Sequence, residues 1–185
     1  MQPFRIGCAT QPESARANFI KVDDPTAETE RSDGMLIALL LAGSTPTFDP
    51  IRFFEGATRG EGMLKIVLRA QAPVRVIGEG RVDADGTLTL DQDVAQGKAA
   101  PKHRTWRLRQ TAPGRYEGTL TEARGPVRGE VDGPRLHLRF TSLSGFQVEQ
   151  WLTLANDGRS AINLLEARRF GLIVAKLTET IRKAD

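Results

Sequence analysis

Arg104-Thr105-Trp106-Arg107-Leu108-Arg109-Gln110, then Ala112-Pro113-Gly114, then Tyr116-Glu117-Gly118-Thr119-Leu120-Thr121, is the stretch that decides the fold. Trp106 and Leu108 alternate with Thr105, Arg107 and Arg109, so one face is apolar and the other carries cations. That two-residue period is the mark of a half-buried β-strand. Pro113 and Gly114 supply turn chemistry, after which Tyr116, Gly118 and Leu120 share a face again. The unit reads as strand, tight turn, strand.

The same unit repeats on both sides. Upstream, Met63 to Ala70 places Leu64, Ile66 and Leu68 on one face, and Pro73 to Val82 aligns Val74, Val76, Gly78, Gly80 and Val82. Asp83-Ala84-Asp85-Gly86 turns the chain into Thr87 to Val94, with Leu88 and Leu90 inward. Downstream come Val127 to Val131, Leu136 to Phe140, Phe146 to Leu154, Ala161 to Arg168 and Leu172 to Ile181, separated by Gly, Pro and Asn-Asp-Gly breaks. No helix is long enough to make βαβ crossovers. The prediction is an all-β fold: an antiparallel up-and-down β-barrel of about 8–10 strands within residues 45–185, as the short sequential connections favour a barrel over a sandwich. Gly78, Gly80, Gly118 and Gly129 lie inside strands, where they permit coiling or clear space in the lumen. Ahead of the series, Phe53-Phe54-Glu55-Gly56 and Gly60-Glu61-Gly62 read as a plug for one barrel end followed by a corner into the first strand.

The N-terminal quarter has a different composition. Residues 1–34 are polar and aperiodic, with Pro3, Pro12, Pro25 and acids at Asp23, Asp24, Glu28, Glu30 and Asp33; disorder, or an upstream extension before a start at Met35, is expected. Met35 to Ser44 is an apolar run too short to span a bilayer but suited to a signal-peptide core, with Ala42 and Ser44 as small residues at a cleavage spacing. This points to the periplasm or cell envelope; a buried element of the fold is the alternative.

The chain has 185 residues, 26 Lys and Arg against 23 Asp and Glu, and one cysteine, Cys8. One cysteine excludes an intrachain disulfide and a cysteine metal cluster. The positive charge concentrates between Gln96 and Phe140, where ten cations face four acids. Arginines on the solvent side of strands, without interleaved exposed aromatics, do not make a nucleic-acid surface. They leave an anionic lipid surface or a protein partner open.

Candidate chemistry is sparse. His103 and His137 lack a third donor at metal-ligand spacing. Ser142, Ser144 and Ser160 have no nucleophile-elbow context. Glu55 and Glu61 flank glycines and suit backbone capping or pairing with Arg59 better than acid–base work. Gly60-Glu61-Gly62 lacks the Lys-Ser/Thr pair and following helix of a phosphate loop. The expectation is therefore a non-enzymatic monomer with no cofactor, no catalytic residue and no metal site. Trp106, Tyr116, Phe140, Phe146 and Trp151 are expected to line the interior. With Phe54, the set Phe54, Trp106, Tyr116, Phe140 and Trp151 is the candidate wall for a small apolar or amphipathic ligand.

Phe48-Asp49-Pro50 with Phe53-Phe54-Glu55-Gly56 and Gly60-Glu61-Gly62 resembles the start of a family of bacterial proteins catalogued as a domain of unknown function, DUF3833, many of them predicted lipoproteins. Arg104 to Trp106, Tyr116-Glu117-Gly118, Gly125 to Gly129, Asn163, Arg169-Phe170-Gly171 and Val174-Ala175 extend the resemblance over roughly residues 47–182. It implies a lipocalin-like barrel in the Gram-negative envelope and carries over no catalytic residue. Two departures stand out. Ser44 occupies the place of the cysteine that diacylglycerol attachment needs, and Glu149-Gln150-Trp151 replaces a more acidic run ending in Trp.

Overall fold

A computed structural model describes residues 46–184. The expectations for 1–34 and for the leader-like run at 35–44 lie outside the described residues.

Ten antiparallel strands follow one short helix. They are α1 (Pro50–Phe54), β1 (Gly56–Ile66), β2 (Ala72–Val82), β3 (Leu88–Gln96), β4 (Lys102–Ala112), β5 (Arg115–Leu120), β6 (Ala123–Asp132), β7 (Arg135–Ser142), β8 (Gln147–Leu154), β9 (Ser160–Arg169) and β10 (Leu172–Lys183). Each strand pairs with its sequence neighbours, and β10 returns to pair with β1 from Thr58↔Lys183 to Ile66↔Ala175, closing the barrel. Closure leaves no edge strand to attract a second chain. The expected meander is what the chain forms, including the last segment, whose composition would also suit a helix.

Alternation sorts the residues. Leu88, Leu90, Trp106, Leu108, Leu136, Leu138 and Leu152 are buried inside, while Arg59, Glu61, Arg75, Glu79 and Arg81 face solvent. A charged exterior is the reverse of the apolar outer band of a membrane-spanning barrel. No helix among the described residues is long and apolar enough to cross a membrane.

One end of the barrel is closed by α1. Asp49 caps the helix by accepting from the Ile51 and Arg52 amides at 3.1 and 3.2 Å, and Pro50 stands at its start, where a missing N–H costs nothing. Phe48, Phe53 and Phe54 pack into the lumen, with ring centroids 5.2 and 5.0 Å apart in the two successive pairs. At the other end of α1, Lys183 Nζ donates to the carbonyls of Arg52, Phe53 and Glu55 at 3.1, 3.1 and 2.7 Å. A cation at a helix C-terminus opposes the helix dipole, and here it also ties the last strand to the plug. Gly80 is needed for the same arrangement, because a side chain there would collide with the Phe54 carbonyl.

The plug is therefore where the sequence puts it, but the corner is not. The first strand begins at Gly56, seven residues before Met63, and Gly60 and Gly62 sit within it, paired on both sides. The turn of the chain is at Gly56, whose φ of 80° a side chain would resist. The inward residues of this half-strand are Thr58, Gly60 and Gly62, so it shows no apolar alternation to read.

A candidate ligand site in the barrel lumen

The lumen has three tiers. The lowest is the aromatic plug with Leu136, Leu152, Leu154 and Ile181 packed on it. Above it lies a layer of polar side chains at inward positions of five strands, β3 and β4 on one side and β8, β9 and β10 on the other. The uppermost tier is apolar and half-exposed.

The polar tier rests on two direct cross-strand pairs, Gln92↔Arg104 between β3 and β4 and Asn163↔Glu179 between β9 and β10. Gln92 Oε1 accepts from Arg104 Nε at 2.8 Å and from Trp106 Nε1 at 2.9 Å. The Arg104 guanidinium lies 5.6 Å from the centre of the Trp106 ring. Asn163 Nδ2 donates to Glu179 Oε2 at 2.9 Å, and Asn163 Oδ1, fully buried, has no partner. Gln150, also buried, completes the layer from β8. These groups enclose a cavity of about 40 Å³, lined by Gln92, Arg104, Trp106, Gln150 and Glu179 among apolar neighbours. That is room for a few water molecules.

Two opposite charges share this layer. Burial pushes the Glu179 carboxyl above its ordinary value, against the Asn163 hydrogen bond and the Arg104 charge, which pull it down. Burial likewise lowers the affinity of Arg104 for its proton, opposed by Glu122 and then Glu179. Arg104 is under-partnered for a largely buried guanidinium. Beyond its Nε bond, the nearest carboxylate is Glu122, with Oε2 3.9 Å from Nη1. A fifth of the side chain stays exposed, so the remaining N–H groups are reached by water or by whatever enters the lumen.

Above the polar layer, inward alternation continues through Leu64 and Ile66 on β1, Leu165 and Ala167 on β9, and Ala175 and Leu177 on β10. The register joins them directly, with Leu64↔Leu177, Ile66↔Ala175, Leu165↔Leu177 and Ala167↔Ala175. All six are only partly buried. They form an apolar wall from the open end down to Glu179.

The five residues expected to line a ligand site separate. Phe54 and Trp106 both line the cavity. Phe140 meets Trp106 edge-on, with centroids 5.7 Å apart at 90°. Tyr116 is buried away from the cavity, beside Gly129. Trp151 faces outward, between inward Gln150 and Leu152, and stacks on His137 with centroids 5.0 Å apart and planes at 11°. Its aromatic character suggests an interior, but its parity places it outside. Phe146 sits at the mouth under Arg169, 5.3 Å from its ring.

Glu61 lies on the outer face, and Glu55 caps the plug helix. Neither carboxylate approaches the cavity, and the one that does, Glu179, was not among the expected residues. Nor were Gln92, Arg104, Gln150 and Asn163. Each occupies the inward parity of its strand next to buried apolar residues, which marks it as a lumen residue but does not say which partner it meets. His103 is engaged by Asp93 at 3.0 Å and Asp91 at 3.6 Å on the outside.

The family model described as "Protein of unknown function (DUF3833)" matches residues 40–183. The chain belongs to that family. No curated protein is close enough in sequence to match. Among solved structures, this DUF3833 barrel is similar to the S-type phycobiliprotein lyase CPES from Guillardia theta, with a TM-score of 0.58 and 6% identity over 73% of this chain and 90% of that one. It is similar to Rv2717c from M. tuberculosis, with a TM-score of 0.58 and 17% identity over 75% and 99% of the two chains. It is also similar to a protein of unknown function of the DUF3598 family from Nostoc punctiforme, with a TM-score of 0.54 and 14% identity over 75% and 50%. At these identities the likeness is one of fold, the lipocalin-like barrel that the sequence resemblance implies.

Proposed function

We propose that this DUF3833 protein is a binding protein that holds one small amphipathic molecule in the upper lumen. The apolar body lies against Leu64, Ile66, Leu165, Ala167, Ala175 and Leu177, and an anionic head reaches Arg104. The observation that carries the reading is Arg104 itself, a part-buried cation in the polar layer of the lumen whose Nε bonds Gln92 and whose nearest carboxylate is 3.9 Å away. Placing a cation there is costly unless something satisfies it, and an anion on an apolar tail would do so where water does it poorly. The cavity of about 40 Å³ is too small to take a whole ligand. On this reading it takes only the head group, and the tail lies against the half-exposed wall above Glu179. Barrels of related shape include a lyase that acts on phycobiliproteins, which is consistent with a fold used to hold molecules.

The setting we propose is the cell envelope, for which the support is the leader-like run at 35–44. The alternative of a docking module using the arginine-rich strand faces has less support. Arg107, Arg128 and Arg139 are opposed by Asp83, Glu117 and Glu130 at 3.6, 3.8 and 2.8 Å, so much of that charge is locally neutralised.

Calorimetric titration tests the reading, with decanoate and decanol as probes. Decanoate should bind at one site per chain, more tightly than decanol, and Arg104→Gln should weaken it about tenfold or more, as for loss of a charge-assisted hydrogen bond. Equal affinity for the acid and the alcohol, or no effect of Arg104→Gln, would overturn it.

A further inference from the structure

The open end of the barrel carries large apolar side chains that the fold does not use. Leu68 in the β1–β2 turn is 99% exposed, Phe170 in the β9–β10 turn 91% and Leu172 73%. The two turns are neighbours, because β1 pairs with β10 and the Val67 amide donates to the Val174 carbonyl at 2.9 Å. Single exposed apolar residues are ordinary on a soluble surface. A cluster of them on adjoining hairpin tips is not.

Backbone conformation sharpens the point. Leu68 and Phe170 have φ of 62° and 52° and are the only non-glycine residues with positive φ among those described. Such positions favour Gly, Asn or Asp, and a large apolar side chain there is mildly strained. Phe170 precedes Gly171, at φ 80°, in a two-residue hairpin turn where Asn-Gly is the favoured pair. Both turns thus present a bulky apolar residue where the fold itself would be better served by a small polar one.

The charge around them has one sign. Residues 65–71 and 166–176 contain Lys65, Arg69, Arg168, Arg169 and Lys176 against Glu166 alone. Glu166 is taken by Arg168 and by Lys176 at 2.9 Å. Arg69 and Arg169 meet no carboxylate among the described residues, and Arg169 lies 5.3 and 5.4 Å from the Phe146 and Phe170 rings. At the opposite end, Asp83, Asp85, Asp132 and Asp157 in and beside the turns are accompanied by Arg115, Arg135 and Arg159, so an excess of cations marks the mouth and not the plug end.

We propose that the mouth of the barrel docks on an anionic lipid bilayer, with Leu68, Phe170 and Leu172 entering the head-group region and the surrounding cations holding the surface. Apolar side chains ringed by Lys and Arg match an interface whose outer layer is anionic and whose next layer is apolar. The excess of cations at the mouth orients the molecule mouth-down. The inference is independent of what the lumen holds, since it uses only residues outside it.

Co-sedimentation of the full chain with vesicles tests it. Vesicles of about three parts phosphatidylcholine to one part phosphatidylglycerol should pellet the protein, and phosphatidylcholine alone should not. The double variant L68N/F170N should bind about tenfold more weakly or less, reflecting lost apolar insertion. Because Asn suits positive φ, it should melt no lower than wild type. Arg69→Gln with Arg169→Gln should weaken binding about fivefold for each charge removed. Ile77→Thr, which changes an apolar side chain 65% exposed on the barrel wall, should bind as wild type does. Failure to pellet with anionic vesicles overturns the proposal. So does equal pelleting with neutral vesicles, full binding by L68N/F170N, or a loss in Ile77→Thr as large as in the double variant.

Discussion

The carboxylate of Glu179 occupies the space that a side chain on Gly60 would fill: a Cβ there would collide with Oε1 and stand 2.9 Å from Cδ. Gly62, directly paired with Glu179, is more constrained still, because its Cβ would meet the Thr178 carbonyl and stand 2.7 Å from the Glu179 Cα. The Gly60-Glu61-Gly62 motif is therefore the seat of a buried acid on the neighbouring strand.

Alanine at either glycine should destabilise the barrel by about 1–3 kcal/mol, the usual cost of overpacking. Urea unfolding should show a larger loss for Gly62→Ala, where backbone blocks the way, than for Gly60→Ala, where a flexible carboxylate can move. In a Glu179→Ala background the cost of Gly60→Ala should shrink, since the obstructing group is gone. Additive costs would contradict this packing.

Stability should respond to pH through Glu179 in the direction opposite to a salt-bridged acid. Its folded-state value is raised, so the folded chain holds this proton more tightly than the unfolded chain. The contribution is fully present below the ordinary carboxyl value and is lost as pH rises through the raised one. Glu179→Gln, which cannot ionise, should therefore gain on wild type as pH rises from about 4 towards neutrality. A wild-type advantage that grows over that range would refute the assignment.

Much of the architecture was legible because the physics that made it is local. The alternation of Trp106 and Leu108 with Thr105, Arg107 and Arg109 reports a strand with one face in the core, and the glycine-bearing turns report where each strand ends. The first half of β1 was illegible because its inward residues are Thr58, Gly60 and Gly62, chosen by the bulk of Glu179 on another strand. Trp151 was misplaced for a related reason. An aromatic residue suggests burial, whereas its neighbours Gln150 and Leu152 own the inward parity. The polar tier needed three-dimensional register, since nothing along the chain tells Gln92 that Arg104 and Trp106 will both donate to it.

That double acceptor makes Gln92 a sensitive position. Gln92→Leu strands two buried donors and should cost about 2–4 kcal/mol. Gln92→Glu keeps an acceptor for both and places a negative charge beside Arg104, so its unfolding midpoint at neutral pH should stay near wild type. Equal losses in the two variants would show that shape, and not hydrogen bonding, governs the site.

Lys183 should be the fastener of the plug. Lys183→Met keeps the aliphatic stem but strands the carbonyls of Arg52 and Phe53 in α1 and of Glu55 at its C-cap, and should cost about 1–2 kcal/mol. Hydrogen exchange of the Phe53 and Glu55 amides, bonded to Asp49 and Ile51, should accelerate more than that of β7. Uniform acceleration across the barrel would mean that Lys183 does no more for the plug than for the rest.

The central claim is that the upper lumen holds a guest, and native mass spectrometry of the full chain, gently purified from its own host, addresses it most directly. Ala167→Phe, which fills the upper level of the apolar wall beside Ala175, is measured alongside. The account predicts a wild-type species heavier than the bare chain by one small molecule, released on activation and absent from Ala167→Phe. A wild-type spectrum showing only the bare chain, or an adduct that persists unchanged in Ala167→Phe, would contradict it.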